Sequence, residues 1–451
     1  MAEHHQGLTS FEDAPFLPLH RKIAAGAFLG QICDGYILGI VGIALSYAAK
    51  PLGLTSFWMG LIGAGSLLGI LFGSLLMGSL ADRIGRKFLF CVLMLVSVIV
   101  SLAQLLISEP LTLAAVRFLL GMAVGADYAV GIALLSEWTP RKKRGSILAW
   151  LLVTWTMGYV LAYCVGVGLQ SLGDVSWNWI LASSAVLGFI TMLVRLGSPE
   201  SPNWLASKGR TREALEIIRQ HLGEGYDLPP TEGKKASTSW IRLFRKPLLY
   251  NTIVSGVFFA CQVLPFFAIS IFLPMVLTEL KIENPYATGV LYNVFTMVGV
   301  LFGTWLISRI SRRAFLLGTF YGGGVLLLIL TVWQGMPPYI ALAFVAAFAL
   351  VLAISITLEF AYPPELFPTE LRGSGVGLTI AISRIGAAGG TFLLPIISEQ
   401  FGIAASLGGC VATLFLGGVI CHMWAPETSE KFMGDTPKVD GVPVPAVALR
   451  S

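Results

Sequence analysis

The sequence predicts an all-α membrane protein with twelve transmembrane helices in two pseudo-symmetric six-helix halves. Composition is the first observation behind this fold class. The 451 residues are 55% hydrophobic and only 12% charged, whereas ordinary soluble domains carry about 25% charged residues. Twelve long apolar runs and a repeated pair of motifs are the other two observations. The composition argues against a disordered chain, a disulfide scaffold and a soluble enzyme.

The apolar runs are each roughly 20 residues long, as a hydrocarbon core of about 30 Å requires. The expected spans are 23–47, 57–80, 88–107, 111–137, 146–170, 177–197, 250–277, 287–308, 314–334, 338–363, 374–396 and 404–424. They should be helices, because unpaired backbone groups are costly in lipid and the alternation of a β-barrel is absent. The chain then divides into a cytoplasmic tail (1–22), a six-helix bundle (23–197), a cytoplasmic linker (198–249), a second bundle (250–425) and a second cytoplasmic tail (426–451).

The distribution of cations predicts the orientation. With both termini in the cytoplasm, 25 of the 30 Lys and Arg residues lie on the cytoplasmic side. Two lie outside, Lys50 and Lys281, and three lie within spans, Arg117, Arg195 and Arg384. The positive-inside rule therefore favours cytoplasmic termini in a bacterial inner membrane. The first 20 residues show no signal-peptide pattern, so the first span is expected to be retained.

Two charged motifs occur once in each half. The loop 78–87 follows span two, and its counterpart 308–313 follows span eight, with an offset of 226 residues from Asp82 to Ser308. Glu137, Pro140, Arg144 and Gly145 after span four recur as Glu365, Pro368, Arg372 and Gly373, at an offset of 228 residues. The near-equal offsets predict two copies of one six-helix unit.

Further motifs occur in the same order along the chain: Arg117-x-x-x-Gly121-x-x-x-Gly125, Pro199-Glu200-Ser201-Pro202-x-Trp204-Leu205 and Pro426-Glu427-Thr428. With these motifs the sequence resembles the major facilitator superfamily, near its sugar-porter and organic-acid symporter branches. The resemblance runs from Asp34 to Thr428. It implies a secondary active transporter that works as a monomer, by alternating access to a cavity between the halves.

The sequence departs from the sugar-porter pattern at positions that bear on the substrate. Phe267 stands where sugar porters usually carry an Asn, although Gln262 is kept. The acid of span one is Asp34, directly before Gly35, which is more like the aromatic-acid and niacin-type symporters. Ser308 and Ser311 replace the Asp and Gly of the second loop motif. These departures favour an organic acid over a polyhydroxyl substrate.

Asp34, near the middle of span one, is the first candidate for proton coupling, together with Arg117 and Asp127. An ionisable group at the bilayer centre costs ~3 kcal/mol or more, so it is usually functional. The resemblance places Arg117 opposite the acid of span one, which makes Arg117 the expected switch partner. A permanent Asp34–Arg117 ion pair is the alternative. Asp127 takes part in proton transfer, lines the cavity or forms a structural pair.

Arg384, near the middle of span eleven, is the candidate substrate anchor. Its planar guanidinium suits a carboxylate and does not lose its proton readily. A bridge to Asp34 or Asp127 across the empty cavity is the alternative. Glu359 is a further candidate for the substrate site, with neutralisation of Arg384 or an inner gate as its alternative roles. Asp34 and Arg384 are expected to face one hydrated path between the halves.

Four other side chains are candidates for the cavity lining: Gln262, Tyr36, Trp155 and Tyr159. Trp155 and Tyr159 are four residues apart, so they share one face of a helix. Such an aromatic face would suit a flat acid such as an aromatic or pyridine carboxylate. Packing within the bundle, or contact with lipid, is the alternative for these aromatic residues.

The cytoplasmic loops predict a latch between the halves, built from charges at helix ends. The latch residues are Asp82, Arg83, Arg86, Glu137, Arg144, Glu365 and Arg372. Glu137 is expected to pair with Arg144, and Glu365 with Arg372. Attraction to the membrane surface would explain the cations, but not the ordered Asp and Gly positions.

The expected function is proton-coupled uptake of a small organic acid, with a carboxylate substrate, protons and the lipid bilayer as partners. No phosphate-binding loop, zinc-protease motif or hydrolase motif occurs, so we expect no enzyme activity, cofactor or metal, and no nucleic acid partner. Three alternatives stay open. They are a sugar or polyol carrier that uses Gln262, an efflux pump for amphipathic compounds, and a non-transporting sensor that docks a partner on 198–249.

Overall fold

The computed structural model describes residues 9–169, 172, 176–229, 240–333, 335–368, 371–429, 431–432, 434, 437–439 and 441–445. Within these residues, twelve helical spans are long and apolar enough to cross a membrane. Spans one to twelve are Pro18–Ala48, Ser56–Ile84, Arg86–Leu106, Pro110–Trp138, Arg141–Leu169, Trp177–Arg195, Leu248–Ile271, Pro285–Leu306, Arg312–Val332, Pro338–Glu365, Arg372–Phe401 and Ile403–Trp424. The prediction of an all-α, twelve-span fold is confirmed.

Several spans contain a break or a short extension. Span six consists of helices Ser176–Ala182 and Ser184–Arg195, and span ten of Pro338–Ile356 and Leu358–Glu365. Span three ends in a 3-10 turn, Gln104–Leu106, and a short helix, Leu273–Glu279, follows span seven. Outside the spans lie helices Pro202–Ser207 and Thr211–Leu222 and 3-10 turns Phe11–Asp13 and Trp240–Phe244. Strand Thr9–Ser10 pairs in parallel with Tyr226–Asp227, and Lys438–Val439 pairs antiparallel with Val442–Pro443.

Prolines and glycines mark the span boundaries. Proline opens spans one, four and eight, where its missing N–H would have no helical partner in any case. Gly85 (φ 102°) and Gly402 (φ 83°) end spans two and eleven in a backbone conformation that favours glycine. The first span begins at Pro18, inside the expected tail. Residues 1–8 and 446–451 of the expected tails, and 230–239 of the expected linker, lie outside the described residues.

Spans two and four pack closely through glycines. A Cβ on Gly69 would lie 2.1 Å from the carbonyl oxygen of Phe118, and one on Gly121 would lie 2.1 Å from that of Ser66. Small residues let helix backbones approach in this way. Such close packing favours helix association in lipid, where the hydrophobic effect does not drive helices together. The richness in glycine therefore sets the spacing of the helices around the site.

The two halves touch at the end of the bundle that lies away from the start of span one; we call this the closed end. A Cβ on Gly42 would lie 2.1 Å from the Ile271 carbonyl oxygen, and one on Gly60 would lie 2.3 Å from that of Phe392. Further contacts there join Tyr47 to Tyr286, whose rings stack at 5.5 Å, and the Tyr163 hydroxyl to the Ser270 carbonyl, at 3.4 Å. At the opposite end, near Pro18, the described ion pairs each stay within one half. The space between the halves therefore opens toward the end with the chain termini.

Candidate substrate cavity and its charged neighbours

A cavity of about 400 Å³ lies between the halves. Spans one, two, four and five of the first half and spans seven, ten and eleven of the second line it. Most of the wall is apolar or aromatic. The polar and aromatic lining residues include Tyr128, Trp155, Phe266, Phe267, Glu359 and Arg384. A mostly apolar pocket with a few convergent polar groups is typical of a small-molecule site.

Arg384 lies on the cavity wall, as the sequence predicts. Its guanidinium carbon lies 5.5 Å from the centroid of the Phe267 ring, within the range of a cation–π contact. Its Nε is buried and has no hydrogen-bond partner among the described residues. Glu359 lies on the same wall and interacts with Arg384 electrostatically, but no ion pair within 4.0 Å joins them in the described structure. The alternative, a bridge from Arg384 to Asp34 or Asp127, is absent from the described contacts.

The aromatic face of span five reaches the cavity through Trp155. Its Nε1 donates a hydrogen bond of 2.6 Å to the Tyr128 hydroxyl, and its ring contacts the rings of Phe266 and Phe267 at 6.0 and 6.2 Å. Tyr159 lies directly behind Trp155, with ring centroids 4.8 Å apart. The cavity therefore presents flat aromatic surfaces on both halves.

Like Tyr159, two further expected lining residues, Tyr36 and Gln262, lie away from the cavity wall. The Tyr36 hydroxyl lies 2.5 Å from the Ser183 hydroxyl and joins spans one and six within the first half, so its predicted place in the cavity is wrong. Gln262 is fully buried behind Glu359. Its amide is within reach of the Glu359 carboxyl, yet neither amide atom makes a hydrogen bond of acceptable geometry with a described residue.

Asp127 pairs with Arg195, a residue that the sequence analysis placed within a span without giving it a role. The two side chains form two hydrogen bonds, of 2.5 and 2.9 Å, and both are almost completely buried. Arg195 also donates to the carbonyl oxygens of Gly26 (3.0 Å) and Phe90 (2.9 Å). The signal available in the sequence was the position of Arg195, a cation within span six. In the structure Gly30 leaves room for it, since a Cβ there would lie 1.8 Å from Arg195 Nη2.

Asp34 lies beside this ion pair, deep inside the first half. It is 0% exposed, and neither carboxyl oxygen has a donor among the described residues. Its carboxyl is close enough to the Asp127 carboxyl for a hydrogen bond, which two carboxyl groups can share only when one is protonated. Asp34 does not line the cavity, so the expected path shared with Arg384 is wrong in this conformation. Tyr128, which does line the cavity, lies near both Asp34 and Arg384.

Arg117 does not pair with Asp34 in this conformation, contrary to the expectation. Its Nη2 donates to the Ile37 carbonyl oxygen (2.8 Å) and its Nε to the Ser66 hydroxyl (3.1 Å). Arg117 lies ten residues before Asp127 on span four, which is about 15 Å along a helix. Because Asp34 lies at the level of Asp127, the guanidinium of Arg117 is too near the closed end to reach it.

At the end with the chain termini, charged clusters hold the helices of each half together. In the first half, Arg86 contacts Glu137 (3.0 Å) and Asp82 (3.2 Å). The Glu200 carboxylate accepts hydrogen bonds from the backbone N–H groups of Arg86 and Lys87, at 3.0 and 3.1 Å. These N–H groups begin span three, where a carboxylate is stabilised by the free donors and the helix dipole.

The second half repeats this cluster with its own residues. Arg312 contacts Glu365 at 3.3 Å, and Thr428 donates a hydrogen bond to Glu365. The Glu427 carboxylate accepts from the backbone N–H groups of Arg312 and Arg313, at 2.9 and 3.1 Å. Glu200 and Glu427 belong to motifs that are visible in the sequence. The backbone N–H groups that they bind, however, lie more than one hundred residues away along the chain.

The expected latch pairs are wrong. Glu137 pairs with Arg86 instead of Arg144, and Glu365 pairs with Arg312 instead of Arg372. Arg144 faces Glu12 of the N-terminal segment, at 3.5 Å. Arg83 and Arg372 are exposed. The short spacing between the paired residues of each motif suggested contacts along one loop, whereas the helices bring together residues from different loops.

Comparison with known proteins identifies the family. The family profile described as "Sugar (and other) transporter" matches residues 23–438. The chain belongs to this family. The predicted resemblance to the major facilitator superfamily is confirmed, and so is the expectation that the protein is a transporter and not an enzyme.

Relatives of this sugar (and other) transporter family member match it over nearly their whole lengths. It is 36% identical over 418 residues to the inner membrane metabolite transport protein YgcS of Escherichia coli (strain K12), covering 92% of this chain and 94% of the relative. It is 31% identical to the putative metabolite transport protein YaaU of the same organism, covering 95% and 96%. The inward open conformation of the xylose transporter XylE from E. coli shares the fold, with a TM-score of 0.76 at 17% identity, covering 91% of this chain and 98% of that one.

Proposed function

We propose that this transporter carries a small organic acid into the cell together with protons. The observation that carries the proposal is Arg384, a half-buried cation on the cavity wall without an ion pair to a described acid. A guanidinium stays charged in proteins, and its fork of donors fits a carboxylate. A substrate carboxylate would supply the counter-charge and pair with the buried Nε of Arg384.

Orientation and conformation follow from the distribution of cations. Cytoplasmic termini in a bacterial inner membrane satisfy the positive-inside rule, and the cavity then opens to the cytoplasm. Rocking of the halves would separate the contacts at the closed end, such as Gly42 against Ile271, and close the cytoplasmic end. The exposed charges of Asp82, Arg83 and Arg372 are then available to latch the halves in that second state, while Arg86 with Glu137 keeps each bundle intact.

Asp34 is the proposed proton carrier. Its position beside the Asp127 carboxylate, which Arg195 already holds, supports a protonated Asp34 in the state that opens to the cytoplasm. Tyr128 lines the cavity and lies near both Asp34 and Arg384, so the proposed proton site and the proposed substrate site are neighbours. A proton co-transported with a substrate anion lowers the net charge that crosses the low-dielectric core.

Uptake into proteoliposomes tests the proposal. Radiolabelled benzoate, nicotinate, D-glucose and D-xylose are offered with and without an imposed pH gradient. We expect at least one acid to accumulate, faster with the lumen alkaline. Arg384→Gln should abolish this accumulation, and Asp34→Asn should leave exchange but remove the dependence on the gradient. Accumulation of a sugar but of no acid, or gradient-driven uptake unchanged in Asp34→Asn, contradicts the proposal.

Transport of a neutral sugar is the second candidate. The sugar-transporter family and the fold shared with a xylose transporter favour it, and Gln262 offers an amide to hydroxyl groups. This function predicts that Arg384→Gln leaves sugar uptake intact, because no anion has to be bound. Loading inverted membrane vesicles then separates uptake from export of either substrate.

A further inference from the structure

Most polar side chains on the first-half wall of the cavity are already hydrogen-bonded. Four described residues of this half line the wall with a polar side chain: Gln31, Ser74, Tyr128 and Trp155. The Ser74 hydroxyl donates to the Leu71 carbonyl oxygen of its own helix (3.0 Å), and Trp155 Nε1 donates to the Tyr128 hydroxyl (2.6 Å). Gln31 is the exception, since no hydrogen bond joins its amide to a described residue.

An unbonded amide at this position is unusual. Gln31 is only 7% exposed, and nearly all buried polar groups in proteins have partners, because leaving one unpaired is destabilising. The amide atoms of Gln31 are not enclosed by protein, unlike the unpaired amide atoms of Gln262. The space that they reach is the cavity that Gln31 lines. An amide both donates and accepts, so a ligand in the cavity can pair with it through either kind of group.

Aromatic rings connect Gln31 with Arg384 along the cavity. Span one packs closely on span five about one turn after Gln31, where a Cβ on Gly35 would lie 2.0 Å from the Trp155 carbonyl oxygen. The Trp155 ring contacts the Phe267 ring of the second half, with centroids 6.2 Å apart, and the guanidinium carbon of Arg384 lies 5.5 Å from the centroid of Phe267. The wall therefore carries one polar group on each half, connected by flat rings.

The chemistry of this wall specifies the ligand. Arg384 binds a carboxylate in the proposed function, and the rings of Trp155, Phe266 and Phe267 favour a flat apolar body. Gln31 adds a hydrogen bond beyond the carboxylate. Benzoate would leave this amide unpaired. A sugar would bring hydroxyl groups to every side of its ring, and those that meet the apolar wall would be buried without partners, which is destabilising.

We propose that Gln31 is a specificity-determining residue that binds a hydrogen-bonding group on the far end of a flat aromatic or heteroaromatic carboxylate. This inference rests on the proposed function, since it takes Arg384 as the anchor of the carboxylate. Gln31 and Arg384 belong to different halves. A substrate that bonds to both therefore favours those conformations in which the two side chains stand at the matching distance.

Binding selectivity of the purified full-length protein in detergent micelles tests the inference. Isothermal titration calorimetry measures the Kd of benzoate and of three analogues with a polar group on the ring: nicotinate, isonicotinate and 4-hydroxybenzoate. We expect at least one analogue to bind roughly 10-fold more tightly than benzoate, the effect of one hydrogen bond. Benzoate binding as tightly as all three analogues overturns the inference and leaves the proposed function, which needs only the carboxylate. Absence of binding by all four acids overturns both.

Variants separate the contact at Gln31 from the contact at the carboxylate. Gln31→Leu removes the amide, so the ratio of the Kd of benzoate to that of the preferred analogue should fall from roughly 10 to about 1. Arg384→Gln should instead weaken the binding of all four acids and keep this ratio. Gln400→Leu, the same change at an exposed position of span eleven, is the matched control and should keep the wild-type ratio.

A ratio that stays at its wild-type value in Gln31→Leu contradicts the inference. Thermal unfolding shows whether each variant is folded. Gln31→Ala should lose the preference in the same way, and it replaces the leucine variant if that variant does not fold.

Discussion

Two arginines of the interior, Arg195 in the first half and Arg384 in the second, are held in opposite ways. In the first half, Arg195 uses its donors on Asp127, Gly26 and Phe90, and no described atom of its guanidinium is left unpaired. In the second half, Arg384 lines the cavity, and its buried Nε has no described partner. A satisfied buried pair holds helices in place, because breaking it costs much more than forming it gains. An unpaired group beside a cavity is available for a ligand.

At the periphery the halves are alike. Arg86, Glu137 and Glu200 of the first half correspond to Arg312, Glu365 and Glu427 of the second, with the same pattern of contacts. The internal repeat therefore builds the same charged cluster in both halves. The two halves differ in the buried charged residues at their centres. On the function proposed above, the first half handles the proton and the second half binds the substrate carboxylate.

Breaking the satisfied pair gives the largest expected effect. Arg195→Gln leaves the Asp127 carboxylate buried without a counter-charge, which should lower the free energy of unfolding by about 3–5 kcal/mol. The double variant Arg195→Gln/Asp127→Asn should recover most of that loss, because no charge stays unpaired. Reversible unfolding in mixed micelles measures both, and Arg372→Gln, an exposed arginine, is the control. Wild-type stability in Arg195→Gln would refute the structural role of the pair.

Removing the unpaired cation should do the reverse: it should cost function and leave stability intact. Arg384→Gln gives up charge-assisted hydrogen bonds to substrate worth about 1.5–3 kcal/mol, which is roughly a 10- to 100-fold loss in kcat/KM for carboxylates. The free energy of unfolding should stay within about 0.5 kcal/mol of the wild type, as for ordinary substitutions away from packed networks. Destabilisation as large as that of Arg195→Gln would show that the contrast between the halves is mistaken.

A glycine beside the satisfied pair gives a smaller, steric test. In Gly30→Ala the new Cβ would lie 1.8 Å from Arg195 Nη2 and 2.8 Å from Asp127 Oδ2, so the ion pair must shift, at a cost of about 1–3 kcal/mol. Gly389→Ala is the matched control within a helix, because a Cβ there has no atom within 4 Å. It should be neutral or stabilising by up to about 1 kcal/mol. Equal unfolding free energies for the two alanine variants would indicate that the pair is not tightly packed.

The sequence predicted the scaffold well because its signals are local. Hydropathy and the spacing of motifs fixed twelve spans and the repeat, and the depth of Arg384 along span eleven placed it at the cavity. Partners across helices were predicted poorly. Arg195 and Arg117 are both arginines within spans of the first half, and only the tilt and rotation of the helices decide which one meets Asp127. Glu137 likewise meets Arg86, 51 residues away along the chain, which no spacing within a loop reveals.

The smallest expected effect concerns a satisfied charge at the surface of the first half. Glu12 is 8% exposed and accepts from Arg141 (2.6 Å) and Asn203 (3.3 Å). Burial alone would raise the pKa of Glu12, but the hydrogen bond from Arg141 and the charge of Arg144 outweigh it, so the pKa is lowered. Because its pKa is lower in the folded state, the ionised Glu12 carboxylate stabilises the folded segment. This stabilisation is fully present above the usual pKa of a glutamate, about 4.3. It is lost as the pH falls through the lowered pKa.

Hydrogen exchange at the backbone of residues 9–14 measures this effect. At neutral pH, Glu12→Gln should lower the free energy of opening of this segment by about 1 kcal/mol relative to the wild type, the usual upper size of such contacts. The difference should shrink as the pH falls below about 4, because the wild-type carboxyl then becomes neutral too. Glu283→Gln, which removes the same charge from an exposed side chain between spans seven and eight, controls for the loss of one negative charge. A difference that stays constant with pH would mean that the charge of Glu12 does not stabilise the segment. Packing of Phe11 against Trp138 (6.0 Å between ring centroids) would then hold it in place, and paired charges would stabilise the first half only in its interior.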